Sequence, residues 1–71
     1  PNIETMVALC IGMDLPYEVS LAFIEKAGLN LMGNNPERLI YKFFLKDGCN
    51  LDIYECDELL KSKGYKGLIR E

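Results

Sequence analysis

The segment ETMVALCIGMDLP, from Glu4 to Pro16, predicts an α-helix because its apolar residues recur at helical spacing until a proline interrupts them. One broad apolar face of this helix suits packing against a core, and it consists of Ile3, Met6, Val7, Cys10, Ile11 and Met13. A second strip on the same helix carries mostly small side chains, which let another helix approach closely. This strip consists of Thr5, Ala8, Leu9 and Gly12. A short helix that is apolar on two sides predicts a second packing partner.

Caps and breakers divide the rest of the chain into three more helices. The first two predicted helices cover residues 3–13 and 16–27, with Asn2 capping the first and Gly28 ending the second in a Schellman motif. A third helix follows the Asn35-Pro36 start signal, and a fourth covers residues 51–63 after Asn50. The absence of a strand pattern and the short connections predict an all-α fold, a compact bundle of four short helices in a single domain over residues 1–71.

The apolar spacing also predicts which face of each later helix is buried. In the second helix the predicted core face is Val19, Ala22, Phe23 and Ala27, which leaves Leu21 and Ile24 pointing outward. In the third helix the predicted core stripe is Leu39, Ile40, Phe43 and Phe44. In the fourth helix Ile53, Cys56 and Leu60 form the stripe, and the acidic residues Asp52, Glu55, Asp57 and Glu58 are expected to be solvated near the positive helix end.

The composition and net charge of the chain indicate a globular protein rather than a membrane protein or a nucleic-acid-binding protein. The chain has 71 residues, of which 49% are hydrophobic and 27% charged, as in a globular domain. It has no apolar run long enough for a membrane helix and no leader pattern, which predicts a cytoplasmic protein with no membrane partner. Its net charge of −3 disfavours tight nucleic-acid binding. The only local gathering of basic residues is Lys61, Lys63, Lys66 and Arg70.

The sequence contains no complete motif for catalysis or metal binding. Residues 47–58 begin with Asp and end with Glu like a calcium loop, but Cys49 and Leu51 stand where oxygen ligands are needed. The chain has no histidine, and Cys10 and Cys56 lie on apolar stripes, which predicts buried thiols rather than nucleophiles. Cys49 is the one thiol expected to be exposed. We therefore predict no enzyme, no cofactor and no metal site.

The first fifteen residues, PNIETMVALCIGMDL, resemble the last helix of a phage-repressor-like helix-turn-helix domain of the Xre, Cro/CI type. The positions that carry the resemblance are Pro1, Asn2, Thr5, Val7, Ala8 and Leu15. Residues 16–71 are similar to the helical extension that follows such domains in bacterial regulators. The helix pair that reads the major groove lies upstream of such a segment in the family, so the resemblance implies DNA contact only through a part outside this chain. An excised domain and a complete product both fit the sequence.

Two functions follow as hypotheses. The first is a C-terminal interaction or oligomerisation domain of a transcriptional regulator, which contacts a second copy or an upstream DNA-binding domain. Its candidate interface consists of Thr5, Ala8, Leu9, Gly12, Leu21 and Ile24. The second is a small ligand-sensing or protein-binding domain, with an apolar pocket between Phe23, Phe43 and Phe44.

Overall fold

A computed structural model of the chain describes residues 2–69, and the predictions for Pro1 and Arg70 lie outside that range. Within it the chain forms four helices and no strand, so the predicted all-α bundle is confirmed. The helices are α1 (Ile3–Gly12), α2 (Tyr17–Lys26), α3 (Pro36–Leu45) and α4 (Ile53–Ser62). Each is ten residues long. None of the helices among residues 2–69 has the length and apolar character needed to cross a bilayer.

Helix α1 is the centre of the bundle, because it packs against each of the other three helices. Its predicted core face supplies Met6, Val7 and Cys10, all of them buried. Met13 was assigned to the same face, but it lies beyond the last helical residue and is 59% exposed. The core joins residues from all four helices, one loop and the C-terminal segment: Met6, Val7, Cys10, Ile24, Leu31, Tyr41, Phe44, Leu45, Cys56, Leu60 and Leu68.

Helix ends follow the local sequence closely. The side chains of Asn2 and Asn35 cap α1 and α3 as predicted, and Gly28 ends α2 with both backbone bonds of a Schellman motif. The prediction of Asn50 as the cap of α4 was wrong. Asp52 caps it instead, because Glu55 stands three residues later and completes a capping box with it.

The end of α1 uses the same motif without a glycine. The Asp14 N–H donates to the Ile11 carbonyl, and the Leu15 N–H donates to the Cys10 carbonyl. This pattern places Asp14 in the left-handed position at φ 51°. A side chain there is strained relative to glycine, so α1 stops through a conformation that its sequence does not favour.

Helix α2 faces the core with the side opposite to the predicted one. Ile24 is 1% exposed, whereas Val19 and Phe23 lie on the surface. The buried face also contains Ser20, whose hydroxyl donates to the Leu15 carbonyl at 3.4 Å. Because that bond satisfies the hydroxyl, a polar residue can occupy the core side of α2.

Helix α3 is rotated relative to its predicted stripe. Phe44 is buried as expected, but Leu39 and Phe43 are about half exposed, and Tyr41 takes the central core position. The Tyr41 hydroxyl donates to Glu37 at 3.1 Å, one helical turn away. Burial and the nearby Glu37 carboxylate raise the pKa of Tyr41, so it enters the core as a neutral, hydrogen-bonded side chain.

Candidate functional site

An uncharged groove runs along the outer side of α1. It has a volume of about 340 Å³, and its lining consists of Thr5, Ala8, Leu9, Gly12, Met13 and Leu68. Four of these residues are the predicted strip, which the structure brings together on one surface. Leu9 and Met13 protrude from it at 45% and 59% exposure. The bundle therefore leaves one apolar side of its central helix uncovered.

Gly12 is not required by the packing of the chain itself. A Cβ atom added to Gly12 would meet no atom within 4 Å, and its φ is not in the left-handed region. Glycine destabilises a helix by about 1 kcal/mol relative to alanine. No neighbouring atom among the described residues therefore requires a glycine at position 12. The missing side chain makes the outer groove deeper.

The wall of the groove facing α1 comes from the C-terminal segment. After α4 the chain turns at Gly64 and folds back so that Leu68 is only 6% exposed. A hydrogen bond holds this segment: the Ile69 N–H donates to Oδ1 of Asp57 at 3.1 Å. Within α4, Lys61 pairs with Oδ2 of the same carboxylate at 3.0 Å. The Ile69 N–H and the Lys61 ammonium hold the pKa of Asp57 below its ordinary value of 3.8.

The role of Asp57 differs from the prediction. It was expected to be solvated with the other acids of α4, but it is 5% exposed and anchors the returning segment. Gly67 lies directly over it, since an added Cβ would be 2.8 Å from Cγ of Asp57 and would overlap its Oδ1. Leu68 was missed as a groove residue, although an apolar pair after the Gly64 stop is a signal that the chain returns to the core.

The remaining two predicted interface residues do not join the groove. Ile24 is buried in the core, and Leu21 is half-buried and packed against it. Their assignment to an outward face of α2 was wrong, because the buried face of α2 is the one that contains Ser20.

The apolar pocket expected between three phenylalanines is not formed. Phe23 and Phe43 are on the surface, and only Phe44 is buried. The Phe43 and Phe44 rings lie 6.2 Å apart at a tilt of 55°. A different cleft, of about 450 Å³, lies between the end of α1, the beginning of α2 and the end of α3. Its lining includes Asp14, Asp47 and Cys49.

The three thiols differ in their surroundings. Burial raises the pKa of Cys10, whose Sγ contacts the Ser20 carbonyl at 3.9 Å. Burial also raises the pKa of Cys56 to about 12, with further contributions from Cys49 and nearby acids. Both are buried, as their positions on apolar stripes predicted, and both are protonated at neutral pH. Cys49, expected to be exposed, is half-buried.

The residues of the rejected calcium loop have structural roles. Oδ1 of Asp47 accepts from the Tyr17 N–H, and Asp52 caps α4. Among residues 2–69 no three His, Cys, Asp or Glu side chains lie close enough together to hold a metal ion.

Comparison with known proteins gives no family assignment. No protein-family model, curated protein or solved structure matches this chain.

Proposed function

We propose that this chain is a helical interaction domain of a transcriptional regulator, and that it self-associates through the α1 groove. The observation that carries the proposal is the uncovered apolar side of α1, with Gly12 open to the outside. Leu9 and Met13 are exposed beside Ala8 and Gly12, and a helix side of this shape suits close packing against another helix. The resemblance of residues 1–15 to the last helix of a helix-turn-helix domain supports the regulator part of the proposal.

A second copy of the chain is the occupant that the groove fits best. The groove offers protruding side chains, Leu9 and Met13, beside the low positions Ala8 and Gly12. In a twofold arrangement the protruding groups of each copy meet the low positions of the other. Among residues 2–69 no charged side chain lines the groove, so the charges of this part of the chain do not meet inside the interface.

The geometry also limits the strength of this association. A helix of ten residues is about 15 Å long, so the contact lies at the small end of protein interfaces. We expect a dissociation constant in the micromolar range for this chain alone. In a full-length regulator, DNA would be read by a segment outside the chain, and this domain would bring two such segments together.

Sedimentation velocity over a range of micromolar concentrations tests the proposal. The wild-type chain is expected to shift toward a dimer as concentration rises, and Ala8→Arg or Leu9→Asp is expected to abolish the shift while the circular dichroism spectrum is kept. Ala22→Arg, at an exposed position of α2, is the matched control and is expected to dimerise normally. A monomer at all concentrations, or equal effects of Ala8→Arg and Ala22→Arg, would refute association through this groove.

A further inference from the structure

A second exposed apolar surface lies away from the α1 groove, where the end of α3 and the following loop meet α4. Two adjoining grooves of about 400 and 580 Å³ form it, and they share Leu51. The apolar side chains of this surface are Phe43, Leu51, Tyr54 and Leu59. Phe43 is 53% exposed and Tyr54 is 69% exposed, so two aromatic rings stand in solvent here. We call it the acid-rimmed surface, because Asp52, Glu55 and Glu58 border its larger groove.

Helix capping explains two of these acids but leaves the third unexplained. Asp52 accepts from the Glu55 N–H at 2.8 Å, and Glu55 accepts from the Asp52 N–H at 3.1 Å. These bonds also fix both carboxylates beside the groove. Glu58 lies in the middle of α4, beyond the first turn where the helix dipole favours an acid. Within residues 2–69 its side chain makes no hydrogen bond or ion pair.

The charge around the larger groove is of one sign. Within the described range 2–69, its lining contains three carboxylates and no lysine or arginine. Lys61, on the next turn of α4, pairs with Asp57 of the same helix. Lys46 and Asp47, of opposite charge, both line the smaller groove. A ligand over Tyr54 and Leu59 therefore meets a negative rim, which disfavours nucleic acid and anionic membranes and favours a cation.

We propose that the acid-rimmed surface binds a cationic amphipathic segment of a partner protein. Apolar side chains of that segment pack over Leu51 and Leu59, where half-buried leucines form the floor. Its lysine or arginine side chains lie against the face of Tyr54 and between the carboxylates of Glu55 and Glu58, where cation–π and charge attraction act together. Of the residues that the structure describes, this surface shares none with the α1 groove, so the proposal does not depend on self-association.

The first experiment uses two short designed peptides that form amphipathic helices, one with leucine and lysine faces and a twin with glutamate in place of lysine. Fluorescence anisotropy of the labelled lysine peptide is expected to give saturable binding that weakens as NaCl rises from about 0.05 to about 0.5 M. The glutamate twin is expected not to bind. Absence of binding by the lysine peptide, or equal binding of the twin, would overturn the proposal.

Two charge-reversal variants distinguish binding at the acid-rimmed surface from general attraction to the net negative charge of the protein. Glu58→Lys is expected to weaken the binding of the lysine peptide about tenfold, because it places a charge of the same sign as the peptide at the rim. Glu25→Lys makes the same change of charge at an exposed position of α2, and its effect is expected to stay within about twofold. Equal effects of the two variants would mean attraction to net charge alone and would refute a specific surface.

Chemical-shift mapping locates the peptide on the folded protein. With ¹⁵N-labelled protein, the shifts on adding the lysine peptide are expected at residues 51–59 and at Phe43. Tyr54→Ala removes only an exposed ring, and it is expected to weaken binding with an unchanged circular dichroism spectrum. Shifts centred on the α1 groove would overturn the assignment to this surface.

Discussion

Oδ1 of Asp47 accepts a hydrogen bond of 2.9 Å from the backbone N–H of Tyr17, thirty residues earlier in the chain. Helix α2 has no side-chain cap of its own, because the residue before it is Pro16. The turn after α3 thus caps the start of α2. This bond ties the turn after α3 to the beginning of α2.

Removal of this cap is expected to destabilise the domain measurably. Asp47→Ala should lower the free energy of unfolding by about 1 kcal/mol, as loss of an N-cap acceptor usually does. Asp47→Asn keeps an acceptor oxygen and should lose less. Urea denaturation followed by circular dichroism measures both. If the two variants lose the same amount, the carboxylate acts through its charge and the hydrogen bond is not the source of the stability.

The strained end of α1 offers a substitution that stabilises the protein. Asp14 holds φ 51° at the position that glycine prefers, so Asp14→Gly should raise the free energy of unfolding by about 0.5–1 kcal/mol. Asp14→Val should lower it, because a β-branched side chain tolerates this conformation poorly. Thermal unfolding of the three proteins gives the order. A valine variant as stable as the glycine variant would contradict the left-handed assignment.

The return of the C-terminal segment depends on a residue without a side chain at position 67. Gly67→Ala should destabilise the domain by about 1–3 kcal/mol, because the added methyl overlaps the Asp57 carboxylate. Gly12→Ala is the matched control: the space around it is open, and alanine favours the helix, so stability should stay equal or rise. Chemical denaturation of both variants decides the point, and a stable Gly67→Ala protein would mean that residues 65–69 do not pack as described.

The anchor at Asp57 predicts the direction of a pH dependence. Its pKa in the folded protein is depressed below 3.8 by the Ile69 N–H and Lys61, so the folded state binds this proton more weakly than the unfolded state. The resulting stability is present above pH 3.8 and is lost as pH falls through the folded pKa. Asp57→Asn should therefore be less stable than wild type at neutral pH. The difference in melting temperature should shrink as pH falls below 3.8; a constant difference down to pH 2 would contradict it.

Truncation of Leu60 in α4 and truncation of Phe43 in α3 are expected to lower the stability by different amounts. Leu60 is fully buried, so Leu60→Ala should cost about 2–5 kcal/mol and leave the domain close to unfolded. Phe43→Ala should cost about 1 kcal/mol or less, because more than half of that ring is in solvent. From the sequence stripe alone, Phe43→Ala would have been expected to cost about 3–5 kcal/mol. The melting temperatures of the two variants show whether Phe43 lies in the core, as its sequence spacing predicts, or at the surface, as in the structure.

The helix count and most helix ends could be predicted from the sequence. The Asn35-Pro36 start, the Gly28 stop and the capping residue Asn2 act within a few residues of their own position. The small strip of α1 was also visible, because its members share one helix and their spacing fixes their common face. Burial of Cys10 and Cys56 followed for the same reason.

The orientation of the helices in the bundle was decided only by the tertiary structure. Helix α2 is apolar on two sides, and its buried side is the one where the Ser20 hydroxyl can reach the Leu15 carbonyl. The exposure of Phe43, the burial of Asp57 and the place of Leu68 in the groove likewise depend on residues far away in sequence. Local sequence sets where a helix of ten residues begins and ends, but the side that it buries is set by the contacts of the whole bundle, since hydrophobic attraction has no direction of its own.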